Sequence, residues 1–333
     1  MDRITIIGTG LIGTSLGLAL KKANLSNCEI VGHDKEPSAS AKAQRRGAFD
    51  KADRNLISSI EGARIIIIAT PSLAIRETME YIAPYLDQGT LITDTGSTKS
   101  NVLKWADEIF PAGVNFVGGH PMAGKESSGP GAAEADLFDG CTYAICATPS
   151  AQPQAVQTLV SLVESIGATP YFIGAEEHDS YVAAVSHLPF VLSVALVACT
   201  SDSPSWDGMS TLAASGYRDI TRLASGDPVM HRDICVTNQE SIITWIDQFI
   251  THLYKFRNAV RDDPDAVETT LISAWQARSR WLSGSKSVNQ SVPADLPSAN
   301  DSMMGLLMGD RMSSRLRELN ERFGKNDGNQ SSR

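Results

Sequence analysis

A histidine preceded by two glycines and followed by a proline is the first candidate for chemistry in this sequence. The segment Gly118-Gly119-His120-Pro121 follows the apolar residues of a predicted strand, so the imidazole stands where that strand ends. An imidazole with an unperturbed pKa of about 6.5 accepts a proton at neutral pH. A hydride leaves a carbinol carbon only as the hydroxyl group loses its proton, and His120 could take that proton. The alternative interpretation is a turn residue whose ring bonds only to the backbone.

A second polar segment, Asp94 to Lys99, follows another predicted strand. The hydroxyl of Ser97 within it can bond both an imidazole and a substrate hydroxyl. Because the carboxyl ends of parallel strands meet at one edge of a sheet, we expect this segment and His120 to face the same crevice. The alternative role for Lys99 is to brace its own loop.

The motif Gly-x-Gly-x-x-Gly lies between a predicted strand at 3–7 and a predicted helix that contains Leu16 and Leu20. That context is the fingerprint of a dinucleotide-binding loop. Its glycines allow a tight turn and a close approach to a pyrophosphate, and the helix N-terminus offers free N–H groups. An ordinary glycine-rich turn is the alternative. The predicted cofactor-binding residues of this loop are Gly8, Thr9, Gly10, Leu11, Ile12 and Gly13.

Asp34 follows the next predicted strand, about 20 residues after the glycines, where a carboxylate bonds a ribose 2′-OH. A carboxylate there repels a 2′-phosphate, so NAD is favoured over NADP. Lys35 and the pair Arg45-Arg46 leave NADP possible, because a nearby cation can accommodate the phosphate.

Strands and helices alternate along the first half of the chain, which predicts a mostly parallel sheet with helices on both faces. The β-branched run 63–69 is typical of a central strand, and it stops at Thr70-Pro71, which we expect beside the cofactor. The predicted strands cover residues 3–7, 29–33, 63–69, 90–94, 115–119, 142–147 and 170–173.

No convincing strand follows Glu176, and helical periodicity at 242–256 and 267–281 predicts an all-helical second domain. The predicted fold is therefore α/β, with an N-terminal Rossmann-type dinucleotide-binding domain followed by a helical C-terminal domain. The predicted domains are 1–175 for dinucleotide binding, 176–283 for substrate binding and dimerisation, and 284–333 for a linker, a terminal helix and a disordered tail.

Composition narrows the class of protein. The 333 residues are 42% hydrophobic and carry a net charge of -9, which argues against a nucleic-acid partner. The five cysteines are scattered without a Cys-x-x-Cys pair, so neither a disulfide framework nor a metal site is predicted. We expect no signal peptide and a cytoplasmic location. The apolar stretch 182–199 contains Ser186, His187 and Pro189, which favours a buried helix over a membrane span.

Six motifs together resemble the prephenate/arogenate dehydrogenase (TyrA) family over roughly residues 3–282. The most specific are the His-Pro-Met-Ala-Gly and Ser-His-Leu-Pro pieces, because they occur in this order and at this spacing. The six segments are Gly8–Gly13, Ala69–Pro71, Asp94–Lys99, Gly119–Gly124, Ser186–Pro189 and Gly216–Arg222.

The resemblance implies an NAD-dependent oxidative decarboxylation of prephenate to 4-hydroxyphenylpyruvate, a step of tyrosine biosynthesis, in a homodimer without membrane contact. By position, His120 would deprotonate the C4 hydroxyl, and Ser97 would hold His120 and contact the nicotinamide end of the cofactor. Arg222 would bind a substrate carboxylate, and His187 would line the pocket. A buried core histidine is the alternative for His187, and a surface charge paired with Asp219 or Glu240 is the alternative for Arg222.

The sequence departs from the family pattern beside the expected substrate pocket. Lys125 and Glu126, which we predict to bind the substrate, follow the His-Pro-Met-Ala-Gly segment, and Lys125 stands where a threonine is frequent. Phe190 replaces a second histidine of some relatives, and His231 replaces a frequent tryptophan. The extra cation at Lys125 mildly favours prephenate over arogenate, which carries an ammonium group.

Three other functions remain open. Arogenate dehydrogenase, which gives tyrosine directly, differs only in the substrate side chain. A β-hydroxyacid dehydrogenase shares the domain types, but it usually relies on a catalytic lysine in the helical part, and that motif is missing here. A non-catalytic, NAD-binding redox-sensing regulator would need neither an aimed histidine nor a substrate arginine, and it would usually carry a DNA-binding segment.

Overall fold

The computed structural model describes residues 2–148 and 150–284. Eight strands form one sheet with helices on both faces, and helices alone follow the sheet, so the predicted fold class is confirmed. The strands are β1 (Asp2–Ile7), β2 (Cys28–His33), β3 (Lys51–Ala52), β4 (Ile65–Ile68), β5 (Leu91–Asp94), β6 (Asn115–Pro121), β7 (Thr142–Ala147) and β8 (Thr169–Phe172).

The helices divide between those that cover the sheet and those that follow it. The covering helices are α1 (Leu11–Ala23), α2 (Pro37–Arg45), α3 (Leu56–Ile60), α4 (Ser72–Ile82), α5 (Ser100–Ile109) and α6 (Pro153–Ser165). The helices after the sheet are α7 (Ala175–Val182), α8 (Leu188–Ser201), α9 (Trp206–Thr211), α10 (Ser215–Thr221), α11 (Pro228–Thr237), α12 (Gln239–Asp262) and α13 (Pro264–Leu282).

The strand order is β3-β2-β1-β4-β5-β6-β7-β8, and every neighbouring pair is parallel except β6 with β7. A mostly parallel sheet is therefore confirmed. The sequence did not predict β3, because its two residues, Lys51 and Ala52, are too few to show a period of two.

The pleat of the central strands explains why helices cover both faces. Ile67 packs in one hydrophobic cluster, whereas its neighbours Ile66 and Ile68 pack in the cluster on the opposite face. All three are at most 1% exposed. Burying each such side chain contributes about 1.5–3 kcal/mol, so a continuous apolar strand is stable only between two helical layers.

The register of the central strands aligns the segments that follow them. Ile7 at the end of β1 lies opposite Ile68 of β4, and Ile68 lies opposite Asp94 of β5. Strand β6 is next to β5, and Thr93 of β5 lies opposite Val117 of β6. The glycine loop, Thr70-Pro71, the segment after Asp94 and the end of β6 therefore share one edge of the sheet.

The stretch predicted as a buried helix runs from α7 into α8 through a π-helical turn at Ala183–His187. Burial is only partial: Phe190 and Ser193 are the buried residues of α8. The remaining apolar side chains of α8 are partly buried or exposed: Val191 packs against the cluster that contains Phe190, whereas Val194 is 46% exposed. By length and composition alone, Ala175–Ser201 is the one stretch of the described chain that could cross a membrane.

Residues 1–257 form one compact unit, and a second unit begins at Asn258. The described part of the second unit contains the end of α12 and all of α13. Asp263 caps α13 by accepting a hydrogen bond of 3.0 Å from the backbone N–H of Ala266. The predicted domain boundaries stay predictions, and the predicted linker, terminal helix and tail from residue 285 onward lie outside the described residues.

Candidate active site

The glycine loop after β1 has the geometry of a phosphate cradle. Gly8 has φ +98°, and a Cβ atom there would lie 2.4 Å from the carbonyl oxygen of Ala69. A Cβ atom at Gly13 would lie 1.9 Å from the carbonyl oxygen of Gly8, so neither position accepts a side chain. A Cβ atom at Gly10 would meet nothing within 4 Å, so this backbone faces open space.

Two groups at this edge lack hydrogen-bond partners among the residues that the structure describes. Helix α1 begins after Gly10 without a side-chain cap, so the N–H groups of Leu11 and Ile12 have no acceptor within their own helix. The buried hydroxyl of Thr70 also has no hydrogen-bond partner, and Pro71 precedes α4 beside it. Unpaired donors beside an open glycine fit the pyrophosphate of a dinucleotide.

Asp34 lies at the end of β2 and contacts the same loop. Its Oδ2 accepts hydrogen bonds from the backbone N–H of Thr9 at 2.7 Å and from the hydroxyl of Thr9 at 2.9 Å. Its Oδ1 accepts a third, of 2.9 Å, from the N–H of Glu36. These bonds hold the carboxylate beside the glycines, as a ribose-binding acid requires.

Arg46 cannot serve freely as the cation for a 2′-phosphate. Its guanidinium donates to the backbone carbonyl oxygens of Gly131 at 3.0 Å and of Ala133 at 2.6 Å. The structure therefore ties Arg46 to the loop that precedes β7, and this strengthens the preference for NAD.

A buried ion pair anchors the segment after β5. Asp94 and Lys99 form the pair, and both side chains are 0% exposed. Asp94 also accepts hydrogen bonds from the N–H of Gly96 at 2.8 Å and from the N–H of Gly119 at 3.2 Å. Lys99 thus braces its loop, and the same carboxylate ties that loop to the residue before His120.

His120 lies within β6 rather than after it, because the strand continues through Pro121 and pairs His120 with Ala144 of β7. Its Nδ1 lies 2.9 Å from Nε2 of His178, and Nδ1 of His178 lies 2.8 Å from Oδ1 of Asp179. His178 and Asp179 were not predicted as site residues from the sequence. An adjacent His-Asp pair at the start of an apolar helix was the one visible indication.

The pKa of His120 lies well below its ordinary value of 6.5. Burial is the main cause, and the neighbouring His178, Lys99 and His187 lower the pKa further. His120 is therefore neutral at pH 7, which is the form that accepts a proton.

Ser97 and His120 are placed at the same edge, but no hydrogen bond of the Ser97 side chain is found among the described residues. Nδ1 of His120 is already occupied by His178. The predicted role of Ser97 in holding His120 stays a prediction. A hydrogen bond from Ser97 to His120 would have to involve Nε2 of the ring.

Asp179 also joins three elements. It accepts hydrogen bonds from the N–H groups of Lys99 at 2.7 Å and Ser100 at 2.8 Å, at the N-terminus of α5. Its backbone oxygen accepts from Nδ2 of Asn238 at 2.7 Å. Burial alone would raise the pKa of Asp179, but the hydrogen bonds from His178 and these N–H groups outweigh it and lower the pKa.

His187 is 1% exposed and lies close to this network. Its Nδ1 lies 3.2 Å from the amide nitrogen of Asn238, which can only donate, so the proton of the neutral ring is on Nε2. Nε2 has no partner in the described protein. Burial lowers the pKa of His187 to about 4. A buried, unpaired donor fits an oxygen acceptor on a ligand.

Arg222 and Glu126 are brought together as an ion pair. Neither of the sequence alternatives, Asp219 or Glu240, is the partner of Arg222. Lys125 pairs with Glu134 instead of standing free, so its charge is largely neutralised locally.

Phe190 and His231, the two ring-bearing residues that depart from the family pattern, contact one another. The rings of Phe190 and His231 stack with centroids 4.2 Å apart and an interplanar angle of 0°. The ring of Phe190 also lies 6.1 Å from that of His187. The two substitutions therefore form one wall beside His187.

A dinucleotide cradle on the same sheet edge as a neutral, half-buried histidine is the arrangement of a nicotinamide-dependent dehydrogenase. Comparison with known sequences then fixes the family. Residues 16–171 match the model for "Prephenate dehydrogenase, nucleotide-binding domain", and residues 174–271 match "Prephenate dehydrogenase, dimerization domain". The chain belongs to the prephenate dehydrogenase family.

Similar proteins include a prephenate dehydrogenase of Bacillus subtilis, 36% identical over 79% of this chain and 71% of that protein. A solved prephenate dehydrogenase of Aquifex aeolicus, in complex with hydroxyphenyl propionate and NAD⁺, has a TM-score of 0.79 and 27% identity. It covers 84% of this chain and 98% of its own. A Synechocystis arogenate dehydrogenase has a TM-score of 0.72 and 28% identity over 84% of this chain and 99% of its own.

Proposed function

We propose that this chain is an NAD-dependent prephenate dehydrogenase, which oxidises and decarboxylates prephenate to 4-hydroxyphenylpyruvate in tyrosine biosynthesis. The observation that carries the proposal is the neutral, half-buried His120 at the sheet edge that also presents the glycine cradle. Family membership supplies the substrate class, and the bound ligands of the Aquifex aeolicus structure agree with it.

The protein's own groups divide the chemistry between them. The residues of the glycine loop and Asp34 hold the dinucleotide, and NAD⁺ supplies the hydride acceptor when it is bound. Nε2 of His120 takes the proton of the C4 hydroxyl, so the oxygen can form a carbonyl as the C4–H bond breaks. The ring carboxylate leaves as CO₂, and the product ring becomes aromatic.

Arg222 binds a substrate carboxylate in this proposal, because a planar guanidinium offers two parallel donors. Glu126 holds the same guanidinium in the structure, so the substrate must displace that contact. The Nε2–H of His187 donates to an oxygen of the substrate. The support for this role is that Nε2 has no hydrogen-bond partner among the described residues. Ser97 orients the C4 hydroxyl from the neighbouring strand end.

Arogenate remains the alternative substrate, and a solved neighbour is an arogenate dehydrogenase. The preference drawn from Lys125 loses strength, because Glu134 pairs with that lysine. Prephenate stays favoured because the Bacillus subtilis relative and the Lactococcus lactis relative, each 36% identical, are both prephenate dehydrogenases.

The active form is a homodimer in this proposal, and the cytoplasm is its location. The match to a dimerization domain and the exposed apolar side chains after the sheet support the dimer. An open, largely apolar cavity of about 350 Å³ lies there, beside Trp206, Met209, Leu212 and Tyr217. Sedimentation velocity tests the dimer.

The deciding experiment offers prephenate and arogenate, each with NAD⁺ and NADP⁺, and follows the reduced cofactor by absorbance. We expect the highest kcat/KM for prephenate with NAD⁺. Higher kcat/KM for arogenate would make the chain an arogenate dehydrogenase. NAD⁺ binding without turnover of either substrate would favour the redox-sensing regulator.

A further inference from the structure

Two buried side chains and the half-buried His120 form a hydrogen-bonded row that ends at His120. Asp179 contacts His178 at 2.8 Å, and His178 contacts His120 at 2.9 Å. Asp179 and His178 are 3% and 2% exposed, and they come from helix α7, whereas His120 comes from strand β6. The helical part of the chain therefore supplies the partner of the histidine at the sheet edge.

The direction of each hydrogen bond follows from the chemistry of the groups. An ionised Asp179 has only acceptors, and two backbone N–H groups already donate to it, so Nδ1 of His178 carries a proton. When the ring of His178 carries only that proton, its Nε2 accepts, and Nδ1 of His120 donates to it at 2.9 Å. A neutral His120 is left with an unprotonated Nε2.

We propose that His178 and Asp179 are positioning residues that hold His120 in the tautomer with Nε2 free to accept the substrate proton. The inference rests on the proposed dehydrogenase function for its catalytic consequence. Its structural content, the position of the proton on the ring of His120, does not depend on that function.

The row also accommodates the charge that catalysis creates. When the C4 hydroxyl transfers its proton to Nε2, the O–H bond breaks and His120 becomes an imidazolium. Its Nδ1–H still donates to Nε2 of His178, whose own Nδ1–H donates to the carboxylate of Asp179. The carboxylate stabilises the imidazolium through His178, as an acid does in a Ser-His-Asp triad, although one imidazole further away.

The other charged and titratable groups near His120 favour the same neutral resting state. Lys99, which forms the buried pair with Asp94, and His187, which comes from the helical part, both lower the pKa of His120. A lysine charge opposes an imidazolium, so the negative end of the row at Asp179 offsets it when the proton arrives.

Nitrogen NMR tests the tautomer directly. In protein labelled with ¹⁵N-histidine, the His120 resonances, assigned by their loss in His120→Asn, should report a protonated Nδ1 and an unprotonated Nε2 at pH 7.5. A protonated Nε2 on His120 would overturn the proposal. This readout needs no substrate turnover, so it stands even if the proposed activity is absent.

Variants of His178 test the consequence. His178→Phe keeps the ring volume but removes the acceptor, and we expect kcat to fall about 10–10²-fold, the range for lost outer hydrogen-bond partners. KM for prephenate and the Kd for NAD⁺ should stay within about twofold, because no binding group is removed. His178→Gln restores an acceptor oxygen and should regain part of kcat.

The exposed His252 on helix α12 offers a matched control, and His252→Gln should leave kcat unchanged. Thermal unfolding checks that each variant folds. A folded His178→Phe with wild-type kcat, or equal kcat for the Phe and Gln variants, would remove the positioning role. If the Phe variant does not fold, the NMR result on the wild-type chain decides.

Discussion

The guanidinium of Arg222 forms an ion pair with the carboxylate of Glu126, and the two side chains are 59% and 45% exposed. Glu126 follows strand β6 by five residues, and Arg222 begins a short 3₁₀ segment directly after helix α10. The contact places Arg222, the proposed carboxylate-binding residue, against the segment that follows the strand of His120. An exposed ion pair contributes little to stability, so it can exchange for a ligand at small cost.

Replacing Arg222 by alanine should raise KM for prephenate about 10–10²-fold with a smaller effect on kcat. The substrate carboxylate loses charge-assisted hydrogen bonds that are present before and during the reaction. Steady-state kinetics measure the split, with Arg76→Ala on the exposed surface of helix α4 as a control. An unchanged KM would assign Arg222 to the surface.

Replacing Glu126 by glutamine should lower KM for prephenate, by about two- to tenfold. The substitution keeps the size of the side chain but removes the carboxylate that competes for Arg222. The effect should disappear in the double variant with Arg222→Ala, because the competition no longer exists. A rise in KM on the wild-type background would instead give Glu126 a direct contact with the substrate.

His120→Asn should lower kcat by about 10²–10⁴-fold, the range for a lost general base. NAD⁺ binding, measured by calorimetry, should be unchanged because the glycine cradle and Asp34 are untouched. A variant that turns over at near the wild-type rate would exclude His120 as the base.

Much of the cofactor-binding part of the site was predictable from the sequence. The strand, the glycine motif and the helix are contiguous in the chain, and the need for glycine there follows from local sterics. The shared edge followed from buried β-branched runs, whose order in a parallel sheet is strongly constrained. The antiparallel direction of β7 was not predictable, because neither its composition nor its periodicity records the direction of its neighbour.

The contacts that the helical part of the chain makes with the site were harder to predict from the sequence. His178 and His120 are 58 residues apart, and their contact depends on how α7 packs against the sheet. The alternative partners considered for Arg222, Asp219 and Glu240, were wrong for the same reason. They are near Arg222 in sequence or on the helices, whereas its partner Glu126 is distant in sequence and near in space. Both contacts join an element of the sheet to one of the helical part.

Asp34→Ser should relax the cofactor preference toward NADP⁺. The change removes the charge that repels a 2′-phosphate. It also removes an acceptor of the two hydrogen bonds from Thr9, so kcat/KM with NAD⁺ should fall. The ratio of kcat/KM for the two cofactors is the measurement, and Asp34→Asn, which keeps the shape, separates charge from loop support. Equal use of both cofactors by the wild-type chain would show that Asp34 does not select.

Acid should destabilise the fold through its buried, neutral histidines. The folded-state pKa of His187 is about 4, and that of His120 is also lowered, so the unfolded chain binds their protons first, below a pH of about 6.5. Their contribution to stability is fully present above that pH and is lost as the pH falls toward the folded-state values. For His187 the loss approaches roughly 3 kcal/mol.

Urea unfolding of the wild-type chain at pH 7.5, 6.0 and 5.0 measures this loss as a fall in the free energy of unfolding. His187→Gln removes one of the proton-linked groups, so its free energy of unfolding should depend less steeply on pH over this range. The exposed His252→Gln variant should keep the wild-type slope, because an exposed histidine has similar surroundings in both states. Identical slopes for the wild type and His187→Gln would mean that His187 is already solvated or charged in the native protein.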